Sequence, residues 1–430
     1  MHLSVDSVSE GADYPKGARI FLRVVLVAAF VIAIKEGIRQ TAGGDFAVFW
    51  RAGGNFAGGY DLYGGGVGER LLIYPPFAAL LFQPLSLLPL VPAAVLFSIA
   101  SVLCAVCCYR LTTTILEVTF PGRRIHWWPL VGAVLFSHSY ILNNLTMVQV
   151  NLFVLLVVLF GFLRFARGQP ALAAFVFAVA AGFKVMPVIL VAWALVRAPR
   201  TAWRGVLAGA TVAILLPFLW RGPARGVQDL RDYNTAFLSA FQSGRVVADY
   251  TNQNLASAIF RATQPASNRE GLDYQVIDLA PSTTRLMTLL ALASVVLAFG
   301  SATLLRGWRG MEIHSVELVG ALLAWHLISG ITWKAHLVSF LFIYAFFLSV
   351  PRESLPIGPR RLWQMVVSLL AVFAFVGRDI VGRTAHFYLG GYSYLTVLMV
   401  LMFALAIWMM VARQVVPARE APAAKARMQA

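Results

Sequence analysis

Apolar blocks of roughly 14 to 21 residues, separated by short basic segments, recur along nearly the whole chain. They lie at about 20–38, 90–109, 129–145, 150–163, 170–183, 185–196, 203–220, 286–305, 316–331, 337–350, 362–377 and 392–412. A helix needs about 20 apolar residues to cross the hydrocarbon core, so the shorter blocks are expected to be tilted, re-entrant or cavity-lining. Composition agrees: of 430 residues, 59% are hydrophobic and 13% charged, too few polar side chains to cover a soluble surface. The expectation is an all-α polytopic membrane protein: a single membrane-embedded domain over 1–430, a bundle of about twelve transmembrane helices with two large extracytoplasmic loops. A soluble enzyme, a nucleic-acid binder and a secreted disulfide scaffold are excluded as readings of the whole chain. The formal charge of +16 then reads as topology signal and attraction to anionic membrane lipid or phosphate, with no nucleic-acid partner. Cys104, Cys107 and Cys108 share one apolar block and read as small core residues.

Orientation follows from the cations of the short loops. With the leader 1–19 cytoplasmic, the same side receives Arg110, Arg123 and Arg124, then Arg164 and Arg167, then Arg197, Arg200 and Arg204. Arg306 and Arg309, then Arg352, Arg360 and Arg361, and finally the tail 413–430 follow. Both termini are therefore expected in the cytoplasm. Lys184 and Pro187 interrupt 170–196, and the charge pattern favours two short crossings there over one broken helix. The segments 39–89 and 221–285 are placed outside, the first with helices at the interface and the second partly helical.

On this topology the unusual polar residues converge on the outer side: Asp45, Asn143, Asn144, Gln149, Asn151, Lys184, Thr251 to Asn254, Trp333, Lys334, His336, Arg378, Asp379, Arg383 and His386. Ionisable groups at membrane depth are costly and mark pathways or sites, so a cavity opening outward is expected. The inner loops are too short for a nucleotide-binding domain. Arg378 with Asp379 reads as a structural ion pair. The run Gly64-Gly65-Gly66-Val67-Gly68 has neither the Lys-Ser/Thr nor the preceding strand of a phosphate loop. No metal-ligand spacing is present, and no obligatory metal or cofactor is expected.

The motif Asp45-Phe46-Ala47-Val48-Phe49-Trp50-Arg51-Ala52 is followed by Tyr60-Asp61-Leu62-Tyr63, by Tyr74-Pro75-Pro76 and by Pro84-Leu85. Further on come Gln149-Val150-Asn151, Lys184-Val185-Met186-Pro187, Asn252-Gln253-Asn254-Leu255 with Arg261, and Ser329-Gly330-Ile331-Thr332-Trp333-Lys334-Ala335-His336. In order and spacing, from about 40 to 340, this resembles glycosyltransferase family 87, membrane enzymes of the GT-C fold that depend on polyprenyl-phosphate sugars. Gly330 stands where the family has proline, and Ala335-His336 where it has paired histidines.

The resemblance implies a polyprenyl-phosphate-hexose donor, often mannose, and an acceptor hydroxyl on a lipid or glycan outside the cytoplasmic membrane, as in glycolipid synthesis for the cell envelope. Asp45 is then the expected general base, with His336 as a second catalytic candidate. Lys184 and Arg261 are candidates for the donor phosphate. Asn252, Gln253, Gln149, Asn151 and Trp333 are candidates for sugar or acceptor. A second carboxylate for double displacement could come from Asp61, Asp249 or Asp379. The competing classes are a flippase of lipid-linked sugars, which would need charges through span centres and on both faces, and a non-catalytic binder of such lipids.

Overall fold

The computed structural model describes residues 14–40, 43–64, 72–120, 125–267 and 271–412. Residues 1–13 of the leader, most of the Gly64–Gly68 run, Arg123, Arg124 and the tail from 413 lie outside the described residues, as do the side chains of Arg378 and Asp379.

Each apolar block is occupied by a helix. The first is α1 (Lys16–Ile38); α2 (Asp45–Gly58) and α3 (Pro76–Ser86) follow in the first large connection. The chain continues through α4 (Leu90–Thr119), α5 (Trp127–Thr146), α6 (Asn151–Ala166), α7 (Pro170–Phe183), α8 (Val188–Arg197) and α9 (Pro199–Arg221). The second large connection holds α10 (Pro223–Tyr233), a π-helical turn at Asn234–Leu238, α11 (Ser239–Gln242) and α12 (Leu255–Thr263). Then come α13 (Pro281–Trp308), α14 (Ser315–Ile328), a 3-10 turn at Lys334–Ser339, α15 (Phe340–Ser349), α16 (Ile357–Phe373), α17 (Arg378–Val381), α18 (Arg383–Gly391) and α19 (Tyr394–Val411). Among the described residues no strand forms beyond one bridge between Ser267 and Asp273. Five helices, α1, α4, α9, α13 and α19, are long and apolar enough to cross a membrane by length and composition. The chain is an all-helical membrane protein.

The helices run back and forth between two ends. Tyr14, just before α1, meets Tyr109, two-thirds of the way along α4, at 2.7 Å between hydroxyls, while Gly37 at the other end of α1 lies against the Val95 backbone near the start of α4. Trp193 of α8 packs on Phe177 of α7, the contact of a hairpin and not of one continuous helix. Gly205 and Gly209 of α9, spaced Gly-x-x-x-Gly, lie against the backbone of α7 at Ala171 and Phe175, where a side chain has no room. The centre is α14 and α15, buried on nearly every side, as expected for helices apolar all round.

Two features depart from the sequence expectation. The block ended at Arg110 continues as helix to Thr119, so Arg110 is not a loop residue. The threonines there bond back to their own helix, Thr113 to Tyr109 O at 3.2 Å and Thr114 to Arg110 O at 3.1 Å, and so do not break it. The second departure is a buried ionic cluster at the end opposite Asp45. Glu317, the third residue of α14, receives Arg197 and Arg306, each at 3.0 Å, and Trp193 Nε1, also at 3.0 Å. Arg306 and Arg309 also donate to the last carbonyls of α19 at Met410 and Val411, tying α8, α13, α14 and α19 together at one level.

Candidate active site

Asp45 is the first residue of α2, with Gly44 as N-cap, so the helix dipole favours its negative charge. The helix is pinned from below by rings: Phe46 on Phe97 with centroids 5.2 Å apart, and Phe49 on Phe82 at 4.8 Å and Tyr74 at 5.0 Å. Its far end is capped by Arg221, which donates to the carbonyls of Asn55 and Phe56 at 3.0 Å each and pairs with buried Asp229 at 2.7 Å. Asp45 is thereby held at the rim of a cavity of about 890 Å3. Asp45, Gln149, Gln253, Trp333 and His336 line it together with Tyr74, Asn143, Tyr250, Thr251, Lys334, His386 and Tyr394.

Gln149 Nε2 donates to Asp45 Oδ2 at 2.8 Å. His336 Nδ1 accepts from the Trp333 backbone N–H at 3.2 Å, which in the neutral ring leaves the proton on Nε2. Its ring lies parallel to the Trp333 indole, 2° off, with centroids 6.1 Å apart. Lys184 follows the last residue of α7. Its Nζ donates to Asn151 Oδ1 at 2.6 Å and sits 5.6 Å over the ring of Tyr74. Burial pulls this lysine down to about 7. Lys184 and Asn151 line a smaller cavity behind the large one, and His336 lines both.

Asn252 and Arg261 stand in the wall and not at the opening. Arg261 is fully buried. It donates through Nε to Gly391 O at 2.9 Å, through one terminal nitrogen to Asp249 O and Asn252 O at 2.8 Å, and through the other to Ser393 Oγ at 2.6 Å. A phosphate would have to displace these contacts, so in this structure Arg261 serves as scaffold rather than as the phosphate ligand the resemblance implies. Asn252 donates to Gly330 O at 3.2 Å and accepts from Thr332 N at 2.8 Å. It thus fixes the strand-like stretch that leads into Trp333 and His336. Gly330 itself receives the ring of Phe241, which a Cβ there would meet at 2.5 Å.

Asn143 and Thr251, expected near an outward cavity, and Tyr74 of the Tyr-Pro-Pro motif join the site, as do Tyr250 and Tyr394, which sequence reasoning did not single out. Asp61 is paired with Arg225 and exposed, and Asp249 bonds the Thr251 backbone at 2.8 Å. Among the described residues Asp45 is the one carboxylate lining the cavity, and no three His, Cys, Asp or Glu gather as a metal set.

Residues 72–330, more than half of the chain, match the sequence pattern of glycosyltransferase family 87. The chain belongs to that family. Among curated proteins none matches it. The protein is therefore a glycosyltransferase of the membrane. The matched span contains Gln149, Lys184 and Asn252 to Arg261, whereas Asp45 and Trp333 to His336 lie outside it and are joined to it by the cavity.

Proposed function

We propose that this family 87 member moves a hexose, mannose in the first instance, from a polyprenyl-phosphate sugar to a hydroxyl of a lipid or glycan acceptor. The bundle crosses the cytoplasmic membrane twelve times, both termini are inside, and the cavity faces outward. One observation carries the chemistry: among the described residues a single carboxylate, Asp45, lines a large cavity behind which a buried lysine waits near its neutral state. Asp45 takes the proton of the attacking hydroxyl as its oxygen bonds to C1. The bond from C1 to the phosphate oxygen breaks, and the electron pair leaves with the polyprenyl phosphate. Lys184 holds the departing phosphate, and His336, which lines both cavities, is the second catalytic candidate beside it. With one carboxylate at hand the displacement is direct, so the product has the opposite anomeric configuration to the donor.

The Glu317 end speaks against a flippase. Its charges are locked into one buried cluster. The test is incorporation of labelled sugar from a panel of polyprenyl-phosphate hexoses into membranes containing the protein. Incorporation from one of them supports the reading. Incorporation from none, or from nucleotide sugars only, would overturn it.

A further inference from the structure

Val148 has φ of +51°, a left-handed backbone that a β-branched residue rarely adopts and that tends to persist at functional sites. It is fully buried, and with Val150 it belongs to the same apolar cluster as Phe46 and Phe49 of α2. Gln149 lies between these two anchors, its N–H on Asn144 O at 3.0 Å, and the reversed backbone turns its amide toward α2. The amide donates to Asp45 at 2.8 Å, while its own Oε1 is buried with no partner among the described residues. A side chain placed to bind sugar would present that oxygen to the cavity. This one commits its polarity to Asp45 and leaves an acceptor unsatisfied, which is costly.

We propose that Gln149 is the positioning residue for Asp45, and that the strained turn at Val148 fixes the direction from which its amide holds the carboxylate. Asp45 must be the base of the reaction proposed above for this to hold. Donation to Oδ2 favours the ionised carboxylate and stops it from rotating, so both the fraction of active base and its aim depend on the amide. Tyr74, Tyr250, Lys334, His336, His386 and Tyr394 share the cavity with Asp45, and α3, packed along α2, carries no ionisable side chain.

The experiment follows transfer from polyprenyl-phosphate-mannose from about pH 5 to pH 9 for the full-length wild type, Gln149→Leu and Gln149→Glu. All are compared at equal amounts of protein running as one species in detergent. A base works only when ionised, so loss of the donor in Gln149→Leu moves the acid limb of the rate profile to higher pH. That reads as roughly tenfold less transfer on the acidic side and a plateau within about threefold of wild type. Gln149→Glu keeps the shape and adds a like charge, so it moves the limb further in the same direction. It decides by itself if the leucine variant does not fold. A limb that stays in place in both variants, or a rise in KM with kcat unchanged, would make Gln149 an ordinary wall or sugar-binding residue and overturn the inference. A wild type that transfers nothing overturns instead the functional reading beneath it.

Discussion

Lys184 carries the most direct pH consequence among the individual residues. Its charged form is penalised by burial, which brings it to about 7, while a free lysine titrates near 10.4. In the unfolded chain it is protonated across that interval, so folding releases a proton and stability rises with pH from about 7 toward about 10. Donor binding runs the other way. A phosphodiester keeps one negative charge throughout and restores the ammonium, so binding takes up a proton above about pH 7. Affinity for a polyprenyl-phosphate sugar is expected to fall as pH rises from about 7 to 9, approaching tenfold per unit. In Lys184→Arg, which stays charged, the dependence should flatten. Calorimetry in two buffers of different ionisation enthalpy checks this, and an equal pH slope in both proteins would remove Lys184 from the phosphate site. Arg261 shows why such roles are hard to read from a sequence. A guanidinium near a polar motif looks the same on paper whether it meets a phosphate or, as here, three backbone carbonyls and Ser393.

At the scale of elements, the clamp on α2 and the knot on α14 make separate predictions. Arg221 satisfies two carbonyls at the end of α2 and neutralises buried Asp229. Replacing it by Met leaves that carboxylate only the longer contact with Arg225, at 3.7 Å, and frees the helix that carries Asp45. Transfer is expected to drop about tenfold or more with donor affinity unchanged, because misplacement of a reacting group costs rate before binding. Unchanged kcat in a folded Arg221→Met protein would show that α2 needs no clamp. Glu317→Gln leaves two buried arginines without their counter-ion and should destabilise the protein by about 3 kcal/mol, read as an earlier thermal midpoint in detergent. Transfer per folded molecule should stay the same, since the cluster lies at the far end from the cavity. The helices were legible because lipid demands contiguous apolar runs; the errors fell where that demand lapses. Past Arg110 the polar run of α4 stays helical because its threonines bond inward. The Glu317 cluster unites residues from three helices, and no local pattern announces it.

For the whole molecule, the large cavity lies at one end and the buried Glu317 cluster at the other. The sequence shows that the polar residues share one side, but it does not pair them. Gln149 reaches Asp45 across 104 positions, and Tyr250 and Tyr394 line the cavity although a tyrosine in a membrane chain reads first as an interface anchor. On the proposed function, the single carboxylate lining the large cavity among the described residues, with Lys184 in the smaller cavity, implies direct displacement. Its product should show inverted anomeric configuration, and proton NMR of the purified glycoside checks this; retention would require a second carboxylate that the described cavity does not hold. The decisive measurement compares transfer from labelled polyprenyl-phosphate-mannose by wild type and by Asp45→Asn in membranes holding equal folded protein. The account predicts incorporation by the wild type and a loss of about 100-fold or more in the variant, with donor binding retained. Full incorporation by Asp45→Asn would contradict it.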